Sequence, residues 1–482
     1  MIIALNIQNH IYNLQLALSE ELKKKGHKII IYTNNRLQVD YLKKNLSGKF
    51  SEASYLDLNL FINNTSVKKN YKKKQLFYER KMKSTYINFI ATNRVFGIEY
   101  AIGSAYHPTH ELSNVSYKRI ISGINDYFDY WTNEIKQKKI EIIISGESEH
   151  YYIAKSNKIK FRSIERARYK NFHYWSKSNY KKIPEITKNY ELISKKKKIV
   201  DIAKIPNQAY DAEFKRRKRN IKSFKLTECI SRIFLTSIKH CYIYLYSTKF
   251  DYKLFSKLSL ILRKYFHFNY LKKNSINLDE LVNKKKNFVF YPLHTEPEPQ
   301  IMNNSPNFFF QEALIALISR NLPSDQILIV KESITAIGRR DINFYKKINK
   351  FKNVSFINCL EEGVNVIKKS CLVFTISGTA GSEAAILGKP VISMSAFNDY
   401  NILEHVYHLC DLSKINNAIK RQIQKGKINK NKLMKDGYNY LLSLEKSSFD
   451  LKRYNHLETN KYINQSSKTK KILLSTFLKS IN

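Results

Sequence analysis

Between residues 287 and 395 the chain alternates short apolar runs with stretches of helical periodicity, and few folds accept that pattern. Residues 287–294, 326–332, 354–359, 372–377 and 390–395 read as buried strands, and 308–322, 341–350, 361–369 and 379–387 read as the helices that join them. Strict alternation builds a parallel sheet with helices on both faces, a doubly wound α/β domain. Such a sheet presents its ligand site at the carboxyl ends of its strands, so the loops leaving these strands carry the chemistry.

The amino terminus predicts a second domain of the same class. Residues 1–7 read as a buried strand, Ile11, Leu14, Leu18 and Leu22 mark one face of a helix, Gly26 caps it, and 29–32 form the next strand. Asn9 and His10 then fall at the carboxyl edge of this sheet. Further strands are predicted at 141–146, with Glu147, Glu149 and His150 at the exit, and at 160–164, followed by Glu165, Arg166 and Arg168. From about 40 to 135 the Lys- and Tyr-rich sequence predicts helices that decorate the domain. The expected organisation is an N-terminal Rossmann-like domain over 1–185, a basic helical linker or insertion over 186–285, a C-terminal Rossmann-like domain over 286–425 and closing helices over 426–482.

Charge bears on the partner. Lys and Arg total 84 against 40 Asp and Glu, a formal charge of +44 that invites a nucleic-acid reading. The excess is spread along the whole chain among Asn, Ile, Tyr and Phe, and no aromatic-interleaved RNA or DNA module accompanies it, so no nucleic-acid partner is expected. Cys229, Cys241, Cys359, Cys371 and Cys410 form no CxxC pair and no metal-ligand spacing, which fits a reduced, cytoplasmic setting. The first residues lack a signal-peptide pattern, and no apolar run reaches the roughly 18 residues of a spanning helix. If the chain meets a membrane, it lies on it. Residues 230–234 and 242–245 are apolar and flanked by basic residues, as in a helix at a lipid interface or a Tyr-rich helix packed on its own domain.

Three segments of the second half concentrate polar groups at strand exits. Ser377, Gly378, Thr379, Ala380, Gly381, Ser382 and Glu383 lead from a buried strand straight into a helix, so free backbone N–H groups and the positive helix end face whatever occupies the turn. A phosphate fits there, and Glu383 is placed to accept from the two hydroxyls of a ribose. The alternative is that the two glycines only permit close strand–helix packing. The coincidence of hydroxyls, glycines and acid in this context favours phosphate. In the second segment, Tyr291, Pro292, Leu293, His294, Thr295, Glu296, Pro297 and Glu298, prolines hold one imidazole and two carboxylates at the sheet edge, and His294 suits a general acid or base. In the third, Lys331 and Glu332 read either as a diphosphate contact or as an exposed ion pair, with Arg339 and Arg340 in the following loop. His107, His110 and Glu111 do not have a metal-ligand spacing and read as a surface loop.

Taken together, Tyr291–Glu298, Ser377–Ala384 and Gly388–Ile392 resemble bacterial capsule and surface-polysaccharide biosynthesis proteins related to β-Kdo transferases, which have the GT-B glycosyltransferase fold. The likeness covers roughly 286–400. It implies two Rossmann-like domains, a nucleotide-sugar donor (CMP-, UDP- or GDP-linked) on the C-terminal one, a glycan or lipid-linked glycan acceptor on the N-terminal one, and no obligate metal or other cofactor. The chain departs from the family pattern where Lys-Glu-His-Pro is replaced by Lys331-Glu332-Ser333-Ile334, which bears on donor identity and on activity. The 377–390 loop also resembles that of UDP-sugar 2-epimerases.

The expected function is therefore transfer of a sugar to a growing surface glycan, in the cytoplasm or at the inner face of an anionic membrane. Ser377, Gly378, Thr379, Gly381, Ser382, Glu383, Lys331 and Glu298 are expected to hold the donor. His294, Glu296, Glu147, His10 and Glu165 are the expected acid and base groups. An epimerase, a glycerol-phosphate transferase or a non-catalytic basic binding protein are the alternatives.

Overall fold

The computed structural model describes residues 1–96, 112, 114–195, 220–246, 254–284, 286–295, 301, 303–305, 308, 310–428, 430–451 and 462–482. The chain divides into two compact units. Unit 1 comprises Met1–Phe89, Asn114–Glu185 and Leu444–Asn482, and unit 2 holds Ile186–Ser443 together with the described residues from Ile90 to Leu112.

Unit 1 is built on a seven-stranded sheet. Strands β1 (Ile2–Asn6), β2 (Lys28–Thr33) and β3 (Glu52–Tyr55) pair in parallel, and β1 also pairs with β4 (Ile142–Ile144), which pairs with β5 (Lys160–Arg166). The centres of the inner strands, Ile3–Leu5, Ile29–Ile31 and Ile142–Ile144, are apolar because both faces are covered. Helix α1 (Tyr12–Lys24) connects β1 to β2 and ends in a Schellman turn, in which the His27 N–H donates to Leu22 O at 3.1 Å while Gly26 takes a positive φ of 80°. Helix α2 (Tyr117–Lys138) buries Ile120, Ile124, Phe128 and Trp131 along one stripe and leads to β4. Helix α3 (Ser148–Ser156) follows β4.

Beyond β5 the sheet changes direction. β6 (Phe172–Ser176) runs antiparallel to β5, and the strand Phe449–Asp450 runs antiparallel to β6. The helix Ser467–Ile481 packs on α1 and places Leu473, Phe477 and Ile481 in the unit 1 core. The closing helices expected over 426–482 are thus shared, with residues up to Ser443 in unit 2 and the rest in unit 1.

In unit 2, two long helices, α4 (Leu226–Tyr246) and α5 (Leu254–Lys273), precede the edge strand β7 (Ser275–Ile276). They are attached to this unit rather than forming a separate linker. Phe224 and Leu271 join its core, and Arg263 of α5 donates to the Gly338 and Arg340 carbonyls at 2.9 and 2.8 Å. The sheet continues as β8 (Asn287–Pro292), β9 (Gln326–Lys331), β10 (Val354–Ile357), β11 (Leu372–Thr375), β12 (Val391–Ser393) and β13 (Val406–His408), with α6 (Gln311–Arg320) between β8 and β9 and α7 (Thr379–Ile386) after β11. The strand order is β13-β12-β11-β8-β9-β10-β7 and every pairing is parallel. Both units are therefore Rossmann-like and doubly wound. The order reverses between β8 and β11 in unit 2 and between β1 and β4 in unit 1, and the carboxyl ends of those strands are where such sheets hold ligands.

Candidate active site

At the unit 2 reversal the β8 exit is pinned from several sides. The His294 N–H donates to Gln311 Oε1 at 2.8 Å, and the His294 carbonyl accepts from Gln311 Nε2 at 2.9 Å and from the Arg340 guanidinium. The half-buried imidazole meets the β11 exit through Nε2, 3.2 Å from Thr375 Oγ1. Gly378 is required at this junction. Its φ of 149° and ψ of −179° suit glycine alone, and a Cβ there would stand 2.9 Å from His294 Cε1.

The β9 exit presents two side chains of opposite fate. Lys331 Nζ donates to the Cys359 carbonyl at 3.1 Å and stays half-buried at the sheet edge. Glu332 is not half of an exposed ion pair. Its carboxylate is fully buried and accepts from Arg340 Nε at 2.8 Å, from Tyr345 Oη at 2.8 Å and from the Ser333 N–H at 2.8 Å. Burial first, and then the Glu332 charge, hold the Tyr345 phenol well above its ordinary pKa. The same Arg340 reaches the His294 carbonyl, so this buried pair couples the β8 and β9 exits.

A cavity of about 360 Å³ opens at the carboxyl ends of the central strands. Its wall includes Pro292 and Leu293 from β8, Lys331, Ser333 and Thr335 after β9, Glu361 and Gly363 after β10, and Thr379, Ala380 and Glu383 at the start of α7. The first N–H groups of α7 have no intrahelical acceptor, and the helix end is positive, so this wall suits an anion. One cation, Lys331, and three carboxylates, Glu361, Glu383 and the Arg340-paired Glu332, share the cavity with it.

Of the residues expected to hold a phosphorylated ligand, Lys331, Thr379 and Glu383 meet in this cavity. Ser377 lies behind it, its buried hydroxyl donating to Asn398 Oδ1 at 3.0 Å, and Asn398 in turn donates to Ser393 Oγ at 2.7 Å. Gly381 allows close packing, since a Cβ there would meet the Tyr400 ring and Thr375 Cγ2 at 2.8 Å. Ser382 is buried, with its N–H bonded to Gly378 O. Glu296 and Glu298 lie outside the described residues, as do His107, His110 and Glu111. Ser333, which stands where the family pattern has His, lines the cavity, whereas Gln311, Thr335 and Glu361 were not expected to take part.

The unit 1 reversal gathers a second polar cluster. His150 is buried, with Nδ1 2.9 Å from Asn6 Nδ2 and 3.0 Å from Ser145 Oγ and Nε2 3.0 Å from Tyr127 Oη, and burial lowers its pKa to about 3. It is a neutral structural group. Glu149 beside it is also buried, and its pKa is raised to about 8, first by burial and then by the Glu147 charge. Glu147 is exposed and accepts from Gln8 Nε2 at 3.3 Å, and His10 is exposed in the short turn after β1.

Glu165 lies inside β5, and Arg166 is the last residue of that strand. β5 runs on through both and pairs with β6, so Glu165 faces Lys181 in an ion pair at 3.0 Å and accepts from Ser163 Oγ at 2.9 Å. Among the described residues no group of three or more His, Cys, Asp or Glu is arranged to hold a metal.

Neither a family model nor a curated protein matches the chain. Among solved structures it is similar to UDP-GlcNAc 2-epimerase from Neisseria meningitidis bound to UDP-GlcNAc, at 14% identity over 99% of this chain and 100% of that one, with a TM-score of 0.30. UDP-GlcNAc 2-epimerase from Methanocaldococcus jannaschii, in complex with UDP-GlcNAc and UDP, gives 12% identity, coverage of 92% and 98% and a TM-score of 0.30. The glycotransferase of kitacinnamycin gives 10%, 93%, 99% and 0.23. The fold assignment rests on the strand order of each sheet. Two Rossmann-like units in one chain is the domain content that the GT-B reading expects.

Proposed function

We propose that unit 2 binds a nucleotide-sugar and that the chain transfers its glycosyl group to a hydroxyl of a surface-polysaccharide acceptor. The observation that carries this reading is the cavity at the β8/β11 reversal, where a helix amino terminus, Lys331 and Glu383 face one another across a space of about 360 Å³. The phosphates of the donor would take the first N–H groups of α7 and the Thr379 hydroxyl, with Lys331 as counter-charge, and Glu383 would accept from the ribose hydroxyls. In the transfer step the acceptor oxygen forms a bond to the anomeric carbon, the bond from that carbon to phosphate oxygen breaks, and the acceptor proton passes to a base. The α7 amides and Lys331 would stabilise the charge that develops on the departing nucleotide. Glu165 is engaged by Lys181 and is not assigned the role of that base.

The test is a thermal-shift screen of the whole chain against CMP, UDP, GDP and their sugars, since a ligand that binds only the folded state raises the melting temperature. A shift with one nucleotide, lost in Glu383→Gln and weakened in Thr379→Ala, supports the site. Product analysis with and without a glycan acceptor then separates the chemistries. Acceptor-dependent release of nucleotide supports transfer, and an isomerised nucleotide-sugar formed without acceptor replaces it by epimerisation. No shift with any nucleotide overturns the reading.

A further inference from the structure

Helices α4 and α5 pack against each other, and one flank of the pair is sealed: Cys229 is buried, and Phe224 stacks on Phe268 with ring centroids 4.3 Å apart. The other flank turns large apolar side chains outward. At 100° per residue, Leu226, Ile230, Phe234, Ile238 and Leu235 of α4 fall within one half of the helix circumference, and all are exposed, Phe234 at 65%. Among the described side chains, that half holds only uncharged residues, Thr227, Ser231, Ser237, Cys241 and the exposed Tyr242 completing it. On α5, Phe255, Leu262 and Phe266 share a face through spacings of seven and four, with Phe255 exposed at 85%.

A helix of a soluble domain turns its apolar stripe inward, and a continuous apolar patch left outside marks a docking surface. The surrounding charge identifies the partner. Over residues 220–246 and 254–273 there are nine Lys and Arg, of which Arg263 is turned inward onto the Gly338 and Arg340 carbonyls, and a single acid, Glu228, which is bonded to Arg232 at 3.0 Å. An uncharged apolar face bordered by cations matches the interfacial layer of an anionic bilayer, whose headgroups complement the cations while its acyl region takes the Phe and Ile side chains. A second copy of the chain would set cations against cations. Among the described residues no helix is long and apolar enough to cross a membrane, so contact through this face is lateral.

We propose that the outward face of α4 and α5 docks the chain onto an anionic lipid surface. The full chain is sedimented with phosphatidylcholine vesicles and with mixed phosphatidylcholine–phosphatidylglycerol vesicles. Binding is expected to the mixed vesicles, at least about tenfold weaker to phosphatidylcholine alone, and weakened by high salt. Phe234→Glu combined with Phe255→Glu is expected to lower binding about tenfold with unfolding temperature unchanged, because both side chains are exposed. Phe234→Ser with Phe255→Ser gives the same readout if the charged pair does not fold. Equal binding to both vesicle types, no sedimentation of the wild type, or undiminished binding of the variants overturns the proposal. So does a vesicle-free dimer that the same substitutions convert to monomer, which would assign the face to a second copy.

Discussion

Replacing Gly378 with Ala probes how the β11–α7 turn is built, and its cost divides into two parts. The backbone part comes from φ 149° and ψ −179°, where holding a non-glycine residue costs about 1–3 kcal/mol. The steric part comes from the new Cβ, which meets His294 Cε1 at 2.9 Å. An imidazole edge can retreat, but here retreat strains the 3.2 Å contact with Thr375 Oγ1, a bond worth about 1 kcal/mol, while Gln311 keeps the His294 backbone in place. Gly378→Ala is therefore expected to lose about 2–4 kcal/mol in all. In a His294→Ala background only the backbone part remains, so the double-mutant cycle returns a coupling of about 1 kcal/mol. Because the chain holds two units, a single melting curve is a poor reporter. Hydrogen exchange in peptides covering residues 372–392 reads the opening of unit 2 directly. A variant as protected as wild type refutes the backbone argument, and an equal loss in both backgrounds refutes the contact with His294.

Other substitutions separate architecture from chemistry. Glu332→Ala leaves the Arg340 guanidinium buried without its carboxylate and is expected to cost about 3–5 kcal/mol, read as exchange in unit 2; a loss below about 1 kcal/mol would contradict the buried pair. Ser377→Ala removes one buried hydroxyl, so it should cost about 1 kcal/mol and leave any nucleotide-induced thermal shift intact, whereas Glu383→Gln should weaken nucleotide binding at least about tenfold. Glu149 carries a pH signature. Its carboxyl titrates near 4.5 when unfolded and about 8 when folded, so stability is full below pH 4.5 and is lost as pH rises through 8, by on the order of 5 kcal/mol. Glu149→Gln escapes that loss, so its stability relative to wild type should climb between pH 5 and pH 8; a pH-independent difference would falsify the assignment.

The parallel core of unit 2 was readable because strands buried on both faces leave uninterrupted apolar runs, as in Phe288, Val289 and Phe290 or Leu372, Val373 and Phe374. β6 was not, because Phe172–Ser176 mixes His173 and Ser176 with aromatic residues and its partner is set by a reversal of the chain. That omission is also what misplaced Glu165, which looks like a strand exit only when the hairpin is unknown. Helix α2 did carry a legible stripe, Ile120, Ile124, Phe128, Trp131 and Ile135, beneath its Lys and Tyr content.

In the site, topology alone sends Lys331, Thr379 and Glu383 to one edge, so they could be chosen from the sequence. Which way successive residues of a turn face cannot be read from their order, and Ser377 proved to point at Asn398. The links from Glu332 to Arg340 and Tyr345, and from Gln311 to His294, join residues 8, 13 and 17 positions apart across loops, with no periodicity to announce them.

The strand Phe449–Asp450 and the helix Ser467–Ile481 complete the sheet and core that begin at Ile2. A ribosome therefore finishes the interior of unit 1 last, after the whole of the second sheet has emerged. At about 5–20 residues per second, the stretch between Glu185 and Leu444 takes roughly 13–50 s to make. During that interval β6 has an open edge, and His173 and Trp175 await the ring of Phe449. Unit 2 has its entire sheet before unit 1 does, which reverses the usual amino-first order of folding. Nascent chains arrested before residue 444 should accordingly show a protease-resistant second sheet beside a protease-sensitive first one.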